Sequence, residues 1–350
     1  MATFAKSTYN ASFYSASRPN YPKKLFKHIF DHHRRHPDAK WERAVDLGCG
    51  TGQATRHLSY ALFHEIIGLD PSANMIKTAN RDFFPGVNAT SVSSITHTQF
   101  EFRRGSAEDL KSAGIEDKSV DMVIAAQACH WFDWNKVWPE MDRVLRVGGT
   151  AAFWVYSEFR LPWYPSLTPM ITAFAQGKGK DHDPVNSLGS YFERPGRTIL
   201  ENHLLDVPSC ESVLGESTTL IEDRVYFAGN YHPQTLPQTH TLPIIMRKRM
   251  TWRDLLGYFR TWSSLHKYHE VYPEDKTRKP DIRFLEEDVA AVGPLRPGDV
   301  DVTGGDIAVR FWKNLRCGVR DEAMSLDVKV GVNDLVLVEW PVALILVNKM

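Results

Sequence analysis

Neither sign of charge prevails in this chain: of its 350 residues, 42 are Lys or Arg and 42 are Asp or Glu. A balanced chain casts no net field, which argues against a role spread along nucleic acid or an anionic membrane. The one dense basic cluster, His32-His33-Arg34-Arg35-His36, stands just before Pro37 and reads as the solvated end of a helix. Cysteine is scarce. Cys49, Cys129, Cys210 and Cys317 are the four, and no two form a C-x-x-C pair, so neither a zinc knuckle nor a dithiol redox motif is written and no metal is expected. Long apolar runs are missing as well. The longest, Leu335 to Val347, is interrupted by Glu339 and Pro341 and is too short to span a bilayer. The N-terminus lacks a basic segment followed by an apolar one, the mark of a secretion signal. Internal repeats and low-complexity tracts are absent too. These gaps point to a soluble protein of a reducing compartment, the cytoplasm, with no membrane or nucleic-acid partner and an oligomeric state that stays unread. The sequons at Asn10 and Asn88 are expected to go unused there.

What is present is alternation. Arg43 to Leu47 reads as a strand, followed by a glycine turn and a helix over Gln53 to Phe63. Glu65 to Leu69 is a second strand, with a helix from Ser72. Phe100 to Arg104 and Val120 to Ala126 are the third and fourth, and a helix runs on to about Arg146. Gly148-Gly149 then breaks the chain before a fifth strand, Thr150 to Tyr156. Such βαβ order implies a parallel sheet with right-handed crossovers and a ligand crevice at the carboxyl ends of the strands. The length suits one domain with a large insertion. Residues 1–40 are expected to form an N-terminal lid segment, 41–156 the core, 157–310 a helical cap with a possible sixth strand at Arg224 to Phe227, and 311–350 the closing strand. Residues 228–243 read as a loop. Thr251 opens a single helix to Tyr268, whose apolar stripe of Trp252, Leu255, Leu256, Phe259 and Trp262 suits a core.

The first strand runs into Val45-Asp-Leu-Gly-Cys-Gly-Thr-Gly52. A glycine turn between strand and helix lets a ligand approach the backbone, and the helix start offers free N–H groups. The spacing here is G-x-G-x-G, not the G-x-G-x-x-G of a dinucleotide site. Asp46 also precedes the first glycine, and a carboxylate there repels a diphosphate and attracts an ammonium group. Asp70 ends the second strand, where a carboxylate can accept from ribose hydroxyls. A nucleoside with an amino-acid tail is S-adenosylmethionine.

VDLGCGTG, GLDPSANMI and VDMVIAAQACHWF resemble class I S-adenosylmethionine-dependent methyltransferases. Phe13-Tyr14, Arg18-Pro-Asn-Tyr-Pro22, CHWF, Tyr191-Phe-Glu-Arg-Pro-Gly-Arg197 and Phe259-Arg-Thr-Trp-Ser263 resemble the trans-aconitate methyltransferase type, which esterifies small carboxylic acids. The resemblance implies a Rossmann-like, seven-stranded, mostly parallel α/β sheet flanked by helices, with an inserted helical cap. It places Asp46, Gly48 and Gly50 at the methionine end of the cofactor and Asp70 at the ribose. Met75 is implied against the adenine, and Ser106, Ala107 and Glu108 beside its amine. Gln127 falls beneath the methionine chain, Arg18 pairs with its carboxylate, and Tyr14 belongs to the same set.

Gln127-Ala-Cys-His-Trp-Phe-Asp-Trp134 leaves the fourth strand where donor and acceptor must meet. Aromatic faces attract a sulfonium cation by roughly 0.5–2 kcal/mol. His130, Trp131 and Phe132 are therefore expected to wall the transfer chamber, while Trp134 and Trp138, at i and i+4, are assigned to packing. A carboxylate acceptor, with a reference pKa near 4, is already ionised and needs no base. The catalytic set expected on this basis is His130, Trp131, Arg194 and Arg197, with Arg260 a further candidate for gripping a second carboxylate of a di- or tricarboxylic acid. Two other readings stand beside it. One is a hydroxyl or carbon methyltransferase of a natural product, for which His130 would serve as base. The other is a non-catalytic S-adenosylmethionine-binding protein.

Overall fold

The computed structural model describes residues 17–61, 63–83, 91–92, 98–177, 186–229, 236, 241–296, 298–322 and 328–350. Phe13, Tyr14, both sequons and most of the 228–243 loop lie outside the described residues.

Strand propensity and burial place the sheet. β1 (Arg43–Leu47), β2 (Glu65–Asp70), β5 (Val120–Ala126) and the upper half of β6 (Leu145–Tyr156) are almost wholly buried, as expected of strands covered on both faces. With β4 (Gln99–Arg104) they form a parallel block in the order β4-β2-β1-β5-β6. β11 (Val342–Lys349) inserts antiparallel between β6 and β7 (Leu220–Phe227). That makes the expected seven. Two-residue strands, β3 (Ser91–Val92) and β8 (Thr241–Leu242), extend the edges to nine among the described residues. The chain leaves β1 toward β2 on one side and returns as β5 on the other. This reversal of order opens a crevice at the carboxyl ends of β1 and β5.

Alternate residues of each strand feed two cores. Ala44, Ile66, Met122, Ile124, Ala152 and Trp154 face one way, toward the helix Lys23–Arg34 with Phe26 and Ile29. Val45, Ile67, Val123, Ala125, Ala151 and Phe153 face the other, toward the helix Trp134–Val144 with Trp134, Val137, Trp138 and Met141. The helices Thr168–Gln176, Trp252–Arg260 and Ile307–Glu322 have no separate core: Phe174, Phe259 and Phe311 join the first of these two clusters. Phe174 and Phe311 stack with centroids 3.6 Å apart.

Three boundaries differ from the sequence reading. Gly148 and Gly149 do not end the helix before the fifth strand. The helix stops at Val144, and both glycines lie inside β6, beside a register shift against β5. A β-carbon at Gly149 would meet the Arg146 carbonyl at 2.8 Å, so the pair marks an irregular strand segment. The helix expected from Thr251 to Tyr268 is two, Trp252–Arg260 and Ser263–Val271. Thr251 and Asp254 close a capping box at its start, and at its end the Thr261 hydroxyl donates to the Tyr258 carbonyl, drawing it away from the helix ladder. Finally, Leu335–Val347 splits at Pro341. β10 (Leu335–Trp340) pairs with β9 (Met246–Thr251) in a separate two-stranded ribbon, and only β11 closes the main sheet. All four cysteines are free thiols, and no described helix is long and apolar enough to cross a membrane.

Candidate functional site

A cavity of about 620 Å³ opens at the carboxyl ends of the parallel strands. Its first half is the turn after β1. Gly48 and Gly50 adopt φ values of +65° and +56°, open to glycine and strained for other residues. A β-carbon at Gly48 would overlap the β-carbon of Ala128, just beyond β5. Asp70, at the end of β2, fixes the turn: its carboxylate accepts from the Gly50 N–H at 3.0 Å and the Ser72 N–H at 2.8 Å. Burial pushes its pKa up, and the two N–H bonds oppose that.

Asp46 is fully buried. One carboxylate oxygen accepts from the Thr55 hydroxyl at 2.6 Å, and the other, Oδ1, has no hydrogen-bond partner. Burial, with Asp70 nearby as a further cause, pushes its pKa up to about 7. A buried carboxylate oxygen left unpaired at a cavity wall is costly unless a donor meets it. A cationic amine is the donor that also restores the charge. Met75, Ser106, Ala107 and Glu108 also line the cavity. The Ser106 hydroxyl donates to Glu108, whose other carboxylate oxygen accepts the Asp133 N–H at 3.1 Å. The tight glycine turn, the orphan Asp46 oxygen and the Asp70 carboxylate fit S-adenosylmethionine.

Gln127, at φ +55°, also lines the cavity. Its side-chain amide donates to the Tyr156 carbonyl at 3.1 Å and accepts the Tyr156 N–H at 2.7 Å, bridging β5 and β6 as they part. Arg18 donates to the Tyr156 hydroxyl at 3.1 Å and the Thr261 carbonyl at 3.2 Å, and lies over the Tyr258 ring.

The second half is aromatic. His130 and Trp131 sit on the short 3-10 helix Cys129–Trp131, with Phe132 next, and all three line the cavity. Gly196 lets Trp131 pack close, since a β-carbon there would meet the indole ring at 2.5 Å. His130 is buried, its Nδ1 is unpaired, and burial together with the Arg197 and Arg18 charges pushes its pKa down to about 3. Arg197 donates from Nε to Glu201 at 2.9 Å and from Nη2 to Glu158, and stacks on Phe192 with 3.9 Å to the ring centre. Burial alone would raise the Glu158 pKa, but Arg197 and Arg160 hold it below the usual carboxylate range.

The structure therefore gathers Arg18, Asp46, Gly48, Gly50, Asp70, Met75, Ser106, Ala107, Glu108, Gln127, His130, Trp131 and Arg197 around one cavity. Arg194 is not among them: it bonds the Thr198 hydroxyl at 2.6 Å and reaches Glu201 at 3.4 Å, away from the lining. Arg260 is likewise taken up by Asp306. Sequence reasoning missed Glu158, Phe192 and Tyr258, and assigned Trp262 to the core alone although it also faces the cavity. A signal existed for Glu158, the first charged residue beyond the end of β6, where strand ends meet ligands.

Comparison with known proteins agrees with this geometry. A methyltransferase domain model matches residues 45–153. A probable S-adenosylmethionine-dependent methyltransferase of Saccharomyces cerevisiae is 27% identical over 280 residues, 80% of this chain and 86% of that protein. An uncharacterized methyltransferase of Mycobacterium tuberculosis is 31% identical over 173 residues, 49% of this chain and 58% of that protein. The fold is shared with the solved structure of a presumptive type II methyltransferase from Anaeromyxobacter dehalogenans, at a TM-score of 0.54 and 21% identity, covering 94% of this chain and 97% of that one. The protein is a methyltransferase, and its cofactor is S-adenosylmethionine.

Proposed function

We propose that the enzyme transfers the methyl group to a carboxylate of a small acid, giving a methyl ester. One observation supports this above others: neither His130 nor Glu158, the buried imidazole and carboxylate that line the aromatic half, is poised to deprotonate a hydroxyl. His130, the expected base, is held near a pKa of about 3, and Glu158 is held below the ordinary carboxylate range by its arginines. An acceptor that arrives ionised needs neither. A cavity of about 620 Å³ that also takes the cofactor leaves room for a small molecule.

S-adenosylmethionine, once bound, would supply an electrophilic methyl group on its sulfonium to an acceptor oxygen. The protein's own residues do the rest. Asp46 holds the amine through its unpaired oxygen, Asp70 takes the ribose, Met75 packs on the adenine, and Arg18 faces the amino-acid carboxylate. Ser106, Ala107 and Glu108 flank the adenine amine. Gln127 contributes by fixing Tyr156, and so the shape of the floor. His130, Trp131 and Phe132 exclude water and present ring faces to the positive centre, and orientation at such a wall supplies roughly 7–11 kcal/mol. The free edge of Arg197 orients the acceptor acid, and Arg194 supports it indirectly through Glu201, which both arginines share.

The test is methyl transfer from labelled donor across aliphatic acids, aromatic acids and phenols. Base-labile methyl ester on at least one acid is the expected product. Ether or C-methyl product with every acid inert moves the assignment to the hydroxyl or carbon reading.

A further inference from the structure

Within the carboxylate reading, on which this rests, we infer that the acceptor is a monocarboxylic acid with an apolar or aromatic body, not the di- or tricarboxylic acid that the family resemblance implies. A second carboxylate would need its own cation. Among the described residues that line the cavity, the cations are Arg18, Arg104 and Arg197. Arg104 lies at the adenosyl end, bonded to the Pro71 carbonyl at 2.9 Å. Arg18 is held by Tyr156 and Thr261, and the carboxylate reading gives it to the cofactor's own carboxylate. Only Arg197 is left for the acceptor, and it is already shared. Glu158 and Glu201, both with side chains 1% exposed, take two of its edges, and Nη2 also reaches the Ala175 carbonyl at 3.3 Å.

Its surroundings are thus negative as well as positive. Glu158 lines the cavity itself, and Glu193 stands at the rim. One carboxylate drawn to the sulfonium is neutralised as it reacts. With Arg197 given to the reacting carboxylate, a second one at the far end of the acceptor would find no cation of its own on this wall and only Glu158 and Glu193 as further charged neighbours, a like-charge arrangement that selects against it. The rest of the wall, Trp131, Phe132, Phe192, Leu200, Tyr258 and Trp262, offers ring faces and hydrocarbon in place of charge. Tyr258 and Trp262 meet edge to face with centroids 5.8 Å apart, a geometry suited to a flat or alkyl body.

The test uses matched pairs of equal length: octanoate against octanedioate, and 3-(4-methylphenyl)propanoate against 3-(4-carboxyphenyl)propanoate. Each is titrated by calorimetry into wild-type protein saturated with S-adenosylhomocysteine, and each is assayed for ester formation. The monoacid is expected to bind about tenfold tighter or better and to react with a kcat/KM about tenfold higher or more, and Glu158→Gln is expected to narrow both gaps to about threefold. A diacid that binds and reacts as well as its partner overturns the inference and leaves the carboxylate reading intact. Failure of every acid while phenols or carbon acids are methylated overturns both. The wild-type pairs decide the matter even where Glu158→Gln does not fold.

Discussion

The two halves of the cavity are built on different principles. The half around the glycine turn comes from the ends of neighbouring strands and works through backbone N–H groups, two buried carboxylates and positive-φ glycines. The half around His130 comes from segments scattered between Arg18 and Ser263, and works through rings and charges that are already paired. Where backbone geometry makes the site, a substitution destroys it. Where packed side chains make it, a substitution retunes it. The first half is therefore expected to be brittle and general, the second tolerant and specific.

Gly48→Val tests that contrast hardest. It puts a β-branched residue at φ +65° against Ala128. Loss of S-adenosylhomocysteine binding by more than about 100-fold is expected, or loss of the fold, as circular dichroism would show. Ordinary binding by this variant would erase the distinction. Next in size, Asp46→Ala should weaken S-adenosylhomocysteine roughly 10- to 100-fold, since a charge-assisted hydrogen bond contributes about 1.5–3 kcal/mol. Arg197→Met is the counterpart across the cavity. It should leave that affinity within about twofold while lowering kcat/KM for the acid about tenfold, and equal effects in calorimetry would merge the halves.

The carboxyl of Asp46 also makes a pH prediction. Its pKa is raised from the ordinary 3.8 of an aspartate to about 7 in the folded protein, so the folded state holds the proton more tightly than the unfolded one. That contribution to stability is fully present below pH 4 and is lost as pH rises through 7, a fall on the order of 4 kcal/mol at 1.36 kcal/mol per unit. Melting curves of the unliganded protein should show this decline from pH 4 to 7, and Asp46→Asn should remove it. Binding of the cationic amine needs the ionised form, so calorimetric affinity for S-adenosylhomocysteine should strengthen from pH 6 to 8. The smallest effect is expected at His130, whose ring is already neutral and from which an ionised acceptor asks no proton transfer. His130→Gln should change kcat at pH 7.5 by less than about fivefold, and a collapse of turnover with binding intact would restore it as a base.

The same contrast explains what could be read from the chain. Asp46, Gly48, Gly50 and Asp70 were legible because each answers to a local requirement: a turn that only glycine adopts, or a carboxylate at a strand end. The parallel order of β1, β2, β4, β5 and β6 was legible from alternation. Arg194 and Arg197 looked equivalent in sequence, three residues apart, yet only Arg197 lines the cavity, because Thr198 and Glu201 hold Arg194 away from it. Tyr258 and Trp262 were hidden for another reason. Helical periodicity marks a residue as buried but not whether its neighbour is protein or ligand. The split of Leu335–Val347 between two sheets depended on a partner, β9, far away in sequence.

Phe174, Phe259 and Phe311 share one hydrophobic cluster with the sheet itself. Specificity in this scaffold is consequently not a detachable module. Grafting the 157–310 segment from a relative would exchange Phe174, Phe259 and the sheet strand β7 along with the acceptor wall, so new acceptor preferences are reached by single replacements along the wall, each vetted by the stability of the whole chain.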